Sequence, residues 1–276
     1  MIPFRTFEVQ RLAESVRSLG QDEVAVEEPL EIRITGDPIA TTMRTPGDDR
    51  ELVLGFLWAE GILRSPDDVT SLAHCGRPGD EGAGNTMDVG LVSGVKLPEH
   101  IEEGGLARRG TIMTSACGVC GRRSIDDLLA RFVPLATPTQ PVVTSHAIAE
   151  AMDGLRARQP IFQRTGGCHA ASLLTYEGEP IATFEDVGRH NAVDKVIGSR
   201  VRAHAMPLDG TMLIVSGRAS FEIVQKAIAA GIAVIAAVSA PSSLAIELAL
   251  RGNATLLGFV RGEGMTIYCG AERIGP

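Results

Sequence analysis

Thr211-Met212-Leu213-Ile214-Val215-Ser216-Gly217-Arg218-Ala219-Ser220 is the stretch that decides the fold of this 276-residue chain. Its apolar first half reads as a buried strand, and a small hydroxylated loop ends it. A helix is expected from there to Ala230, with Gly231 where a helix C-terminal glycine belongs. Ile232 to Val238 repeats the strand and Ser239-Ala240-Pro241 repeats the loop. A second helix then runs through Leu250, with Pro241 in its first turn. Thr255 to Val260 and Met265 to Cys269 read as two more strands. This alternation implies a largely parallel, covered sheet with right-handed crossovers. The fold class is α/β.

Upstream, Ser145 is expected to cap a helix with Ile148, Met152 and Leu155 on one face. Ile181 to Phe184 is a short strand. Glu185 to Lys195 is dense in polar residues of both signs and leads into a helix with Val193, Val196 and Ile197 inward. A solvated helix start would account for part of that run, yet it is heavy for a plain surface. Pro134 to Pro141 holds three prolines and reads as a linker. The expected division is an N-terminal α+β domain at 1–133, the linker at 134–141 and a C-terminal α/β domain at 142–276.

Within the N-terminal part, Pro29 to Thr35 alternates like a half-buried strand. Ile39 to Arg44 reads as its hairpin partner. Gly47-Asp48-Asp49 opens a helix that ends at Gly61, and Ser71 to Cys75 and Thr86 to Val92 are further strands. Residues 1–28 are weakly patterned, and Phe7 to Val16 reads as an edge strand or a short helix. Trp58 is expected in a core or interface, and His74 with Cys75 are expected to be structural.

Composition narrows the function. The formal charge is −8, against the basic footprint of a nucleic-acid binder. Hydrophobic residues make up 44%, enough for a proper core. The N-terminus lacks the apolar run of a signal peptide, and no window approaches a membrane span. Five cysteines, without a disulfide framework, suit a reducing cytoplasm.

Two features carry chemistry. The first is Thr114-Ser115-Ala116-Cys117-Gly118-Val119-Cys120-Gly121-Arg122-Arg123. Glycines keep its backbone mobile, and neighbouring arginines favour the reactive thiolate. Structural zinc would need two more ligands, and Cys75, Cys168 and Cys269 are isolated. A thioredoxin-like pair would open a helix directly after a strand. A mobile, activated thiol is the remaining use. The second feature is the pair of strand-to-helix loops. Ligands of α/β sheets sit beyond strand C-termini, where helix N-termini offer N–H groups. Ser216, Gly217, Arg218 and Ser239 should therefore face one site suited to phosphate, with Arg189 and Arg261 adding charge.

Together these motifs resemble the FdhD family of sulfur carrier proteins, which are needed to make active formate dehydrogenase. The resemblance rests on Ser115 to Gly121, Thr165-Gly166-Gly167 with His169, Glu185 to Lys195, Ser216 to Ser220 with Glu222 and Lys226, Ser239-Ala240-Pro241, and Gly258-Phe259 with Arg261. It implies that a cysteine desulfurase passes sulfur to a loop cysteine as a persulfide. The sulfur then goes to the molybdenum or tungsten of the bis-molybdopterin guanine dinucleotide cofactor (Mo-bisMGD). It also implies a homodimer and a C-terminal three-layer domain similar to cytidine deaminases. The family's cofactor-binding stretch matches Phe259-Val260-Arg261-Gly262-Glu263-Gly264. On that reading Cys117 carries the persulfide, and Cys120 either assists its release by forming a disulfide or relays the sulfur. Gly166, Gly188, His190 and Asn191 join His169, Arg189, Ser216 to Arg218 and Ser239 around the cofactor, and no metal is permanently bound. A non-catalytic cofactor-binding chaperone and a zinc-stabilised binding module are the other two readings. Deaminase activity is excluded, because His169 is followed by Ala170-Ala171 where the proton-shuttling glutamate is required.

Overall fold

A computed structural model describes residues 2–76, 84–98 and 134–276. The Cys117–Cys120 loop lies outside them.

The chain begins with a two-stranded ribbon, β1 (Phe4–Ala13) and β2 (Val16–Ala25), antiparallel along its whole length. Both turn residues, Glu14 and Ser15, have positive φ. A two-residue hairpin turn of the type that matches strand twist demands this. β3 (Glu28–Ile34) and β4 (Asp37–Arg44) form the expected hairpin, which buries Leu30, Ile32 and Ile34. α1 (Asp49–Ala59) follows, then β5 (Val69–His74) and β6 (Thr86–Leu91). These complete a four-stranded sheet in the order β4-β3-β6-β5, with β3 and β6 parallel.

β7 (Val143–Thr144) leads into α2 (Ser145–Leu155), whose cap is Thr144 rather than Ser145. The Thr144 hydroxyl accepts the Ala147 N–H at 3.0 Å. Then come α3 (Pro160–Thr165), β8 (His169–Thr175), β9 (Pro180–Asp186), α4 (Arg189–Arg202), β10 (Thr211–Val215), α5 (Phe221–Ala230), β11 (Val234–Ala237), α6 (Ser243–Arg251), β12 (Thr255–Arg261), β13 (Gly264–Cys269) and β14 (Ile274–Gly275). β14 pairs with β7. α6 is capped by Ser242, so Pro241 precedes the helix instead of lying in its first turn.

The large sheet has the order β13-β12-β11-β10-β8-β9. β10, β11 and β12 are parallel, whereas β8, β9 and β13 join antiparallel, so the sheet is mixed. Strand alternation sorts its side chains into two cores. Leu213, Val215, Ile235 and Ala237 face α4, α5 and α6. Met212, Ile214, Val234 and Ala236 face Ile148, Met152 and Leu155 of α2. Helices therefore cover both faces.

α1 packs across α4, and the two backbones nearly touch. A Cβ built on Gly55 would lie 1.9 Å from the Asp194 carbonyl oxygen. One built on Gly198 would lie 1.8 Å from the Glu51 oxygen. Through this crossing a single body of buried side chains runs from Leu30 and Ile32 through Leu52 and Leu57 to Val193 and Val196. Residues 134–141 lie against the C-terminal part. The Leu135 N–H donates to the Gly252 carbonyl at 2.9 Å, and Asn253 Nδ2 donates to the Leu135 carbonyl at 2.7 Å.

Candidate functional site

The antiparallel entry of β8 decides where the site lies. His169, its first residue, pairs with Asp186, the last of β9, and Ala171 pairs with Val215, the last of β10. The start of β8 therefore shares one end of the sheet with the ends of β9, β10, β11 and β12. Gly166, at the α3 C-terminus with φ 65°, leads directly into it. Gly188 to Asn191 start α4, Ser216 to Arg218 follow β10, Ser239 follows β11, and Phe259 to Arg261 close β12. The anticipated residues thus converge on one edge.

Backbone bonds tie these loops together. Ser216 Oγ accepts the Ala170 N–H at 2.8 Å. The Ser239 N–H donates to the Gly217 carbonyl at 3.3 Å, and the Phe259 N–H donates to the Ser239 carbonyl at 3.4 Å. A Cβ on Gly217 would stand 3.3 Å from His169 Nδ1 and 3.9 Å from Arg189 Cδ, so these three residues are immediate neighbours. Phe259 holds a positive φ of 53° with its ring exposed, while Val260 turns into the core. Gly262 and Glu263 form the exposed β12–β13 turn, which Gly264 follows.

This edge is electropositive. Burial, and then the charges of Arg189, His190 and Arg218, hold the His169 imidazole below its ordinary pKa. His169 is therefore neutral at neutral pH. Arg189 Nε is buried with no hydrogen-bond partner among the described residues. A buried donor left unpaired is costly, so an anion reaching this edge would gain a ready N–H. The residues fit a phosphate-bearing ligand.

Two anticipated binding residues do a different job. Asn191 is 4% exposed and its amide is fully used. Nδ2 donates to the Met43 carbonyl at 2.7 Å and to Asp186 Oδ1 at 3.0 Å, and Oδ1 accepts from Thr42 Oγ1 at 3.2 Å. His190 is 5% exposed, with Nε2 2.9 Å from Ser220 Oγ and 2.7 Å from Glu222 Oε2. The polar run is therefore buried wiring, not a solvated helix start. At its centre is Asp186, which sequence reading missed. Its carboxylate accepts the Gly188 N–H at 2.8 Å and the Thr45 N–H at 3.1 Å, and lies 2.8 Å from Lys195 Nζ. The bond to Gly188 turns the chain into α4 and starts it at Arg189. A Cβ on Gly188 would lie 2.8 Å from Asn191 Nδ2. The only hint in the sequence is the spacing Asp186-x-Gly188.

Cys117 and Cys120 lie outside the described residues. Burial pushes the Cys168 thiol up to about 11, with Thr45 Oγ1 3.6 Å from its sulfur. Cys269 is likewise raised by burial and donates to the Ala254 carbonyl at 3.4 Å. Both stay protonated and inert at neutral pH. Among the described residues, no group of three or more His, Cys, Asp or Glu is placed to hold a metal.

Residues 25–275 match the model of the FdhD/NarQ family. The chain belongs to that family. The sulfur carrier protein FdhD of Anaeromyxobacter dehalogenans is 56% identical over 262 residues, covering 92% of this chain and 89% of its own. The Streptomyces coelicolor protein of the same name is 46% identical over 270 residues, covering 96% and 94%. A crystal structure assigned to a formate dehydrogenase accessory protein from Desulfotalea psychrophila superposes with a TM-score of 0.77. That protein is 25% identical, and the match covers 99% of this chain and 100% of the other. Family membership agrees with a mixed α/β chain, and the matched stretch begins where the β1–β2 ribbon ends. No helix among the described residues is long and apolar enough to cross a membrane.

Proposed function

We propose that this chain is a sulfur carrier serving formate dehydrogenase, with the phosphates of a guanine dinucleotide cofactor held at the positive end of the large sheet. Membership of the family supports the carrier role. The observation that carries the cofactor reading is Arg189 Nε, without a hydrogen-bond partner among the described residues, beside His169, Gly217 and Arg218. The antiparallel β8–β9 pair followed by three parallel strands, with helices on both faces, supports a three-layer architecture similar to cytidine deaminases.

On this reading the Cys117 thiolate attacks the outer sulfur of a cysteine desulfurase persulfide. The donor's S–S bond breaks, its cysteine leaves as thiolate, and Cys117 becomes the persulfide. Attack of the Cys120 thiolate on the inner sulfur would form a Cys117–Cys120 disulfide and release hydrosulfide to the molybdenum or tungsten of Mo-bisMGD. A small cellular thiol would then reduce the disulfide. The cofactor is cargo, and the protein works as a homodimer in the cytoplasm.

The test is intact mass and peptide mapping after incubation with a cysteine desulfurase and cysteine. One added sulfur on the Cys117 peptide, removed by reductant, is the expected result. No added sulfur with a competent desulfurase would overturn the carrier chemistry and leave a cofactor-binding chaperone.

A further inference from the structure

The β1–β2 ribbon stands out from the body of the chain. From Gln10 to Leu19 every residue is exposed, and Leu19 is 85% exposed. A two-stranded hairpin is only marginally stable by itself, so the contacts at its root decide where it sits. There the Val26 N–H donates to the Pro3 carbonyl at 2.9 Å, and Arg5 Nη2 lies 2.9 Å from Glu28 Oε1. α3 also packs on β2. From α3, Arg164 clasps both strands. Its guanidinium lies 3.7 Å from the centre of the Phe4 ring. Its Nε and Nη2 both donate to the Glu23 carboxylate, Nε at 2.7 Å. These bonds hold the Glu23 carboxyl below its ordinary pKa, so both partners are charged at neutral pH. A Cβ built on Gly167 would lie 3.2 Å from Ala25 Cβ, so β2 also bears directly on the turn after α3.

α3 is the piece of chain that delivers His169 to the positive edge. Its first turn is pinned where the Glu185 carboxylate accepts the N–H groups of Ile161 at 2.9 Å and Phe162 at 2.8 Å. Its last turn closes through Thr165, whose hydroxyl donates to the Ile161 carbonyl at 2.8 Å and accepts the Gly167 N–H at 3.1 Å. Between Gly167 and His169 stands Cys168 alone, buried against Thr45. We infer that Arg164 is a positioning residue for the anion edge: by clasping the ribbon at Glu23 and Phe4 it fixes the Gly166–His169 turn, so the seating of the ribbon and the binding of an anion strengthen each other. Linkage makes the effect reciprocal. Lifting the ribbon off α3 would loosen the turn and weaken the hold on the anion, and a bound anion would keep the ribbon seated. This deepens the proposed function and rests on its phosphate site.

The test combines calorimetric titration with pyrophosphate and hydrogen exchange over residues 160–169. Both are run on the whole protein as wild type, Glu23→Gln, Arg164→Gln and the double variant. Glu23→Gln decides, because it removes a negative charge. The field alone would then tighten anion binding, whereas loss of the clasp weakens it. The expected result is a loss of about two- to fivefold, the coupling of a partly exposed ion pair. Arg164→Gln should also bind more weakly, and the double variant no more weakly than Arg164→Gln, because the two residues act through one contact. Exchange over 160–169 should quicken in all three variants while that of β10 stays as in wild type, the mark of a local opening. Thermal melts establish that each variant is folded. Tighter or unchanged pyrophosphate binding in Glu23→Gln, or additive losses in the double variant, overturns the inference while the phosphate site stands. Failure of pyrophosphate to bind wild type overturns the phosphate site itself and the linkage with it, and the exchange rates still decide whether Arg164 fixes the turn.

Discussion

A Cβ placed on Gly198 would come within 2.6 Å of the Gly55 backbone nitrogen. Neither helix can give way alone, because the obstacle on each side is the other's main chain. Gly198→Ala or Gly55→Ala should therefore cost about 3 kcal/mol or more, at the upper end of overpacking effects. A chain of this length loses roughly 2–4 °C of Tm per kcal/mol. A melt within a degree of wild type for either variant would refute the close crossing.

The Asp186–Asn191 network is expected to act on ligands through Arg189. Asn191→Ala should lower both Tm and pyrophosphate affinity. In an Arg189→Ala background it should still lower Tm by a similar amount, yet change affinity no further, because coupled residues are non-additive. Additive losses of affinity would mean that Asn191 meets the ligand itself.

Anion binding should strengthen on acidification. His169 is neutral at pH 7 because its folded pKa lies below the usual imidazole value. Protonation, which needs a pH lower than for an ordinary imidazole, adds positive charge beside Arg189 and Arg218. A bound anion raises that pKa in turn. Sulfate is the suitable probe, since its own charge is constant over this range. Its affinity should rise from pH 8 to pH 5.5 in wild type and stay nearly flat in His169→Gln.

Asp194 is wholly buried, and desolvation, partly offset by Lys226, pushes its carboxyl up to about 6. Lys226 Nζ donates to both its oxygens, at 2.7 and 2.9 Å. Removing the partner leaves an uncompensated buried charge, a loss of about 3–5 kcal/mol. Lys226→Met should therefore be strongly destabilised at pH 8. The deficit should shrink as pH falls towards 6, since without Lys226 the carboxyl's folded pKa rises further and the variant's native state takes up the proton first. Denaturant melts at pH 8 and pH 5 compare the two, and an equal deficit at both would exclude this account.

What the sequence disclosed follows the range of the interactions. Period-two and helical patterning located β3, β4, α1, β10, α5 and β12, because each is set by burial of its own residues. The β1–β2 ribbon was illegible, since most of its side chains face solvent and its Glu14-Ser15 turn lacks the usual glycine signal. Local strand–loop–helix chemistry marked Ser216 to Arg218 and Ser239. Gly188 and Asn191 drew attention as ligand contacts, although their bonds run inward to Asp186, Met43 and Thr42. The buried roles of Asp186 and Asn191 depend on Thr42, Met43 and Thr45, more than a hundred residues away.

Those separations also set a schedule. Thr45 meets Asp186 across 141 residues and Lys195 across 150. At a synthesis rate of about 5–20 residues per second, β4 leaves the ribosome roughly 7–30 s before the groups that complete its bonding. Arg189 is aimed only once that late clasp has closed. The proposed anion site is thus among the last parts of the newborn chain to exist, and on that reading a half-made protein has no means of holding cofactor.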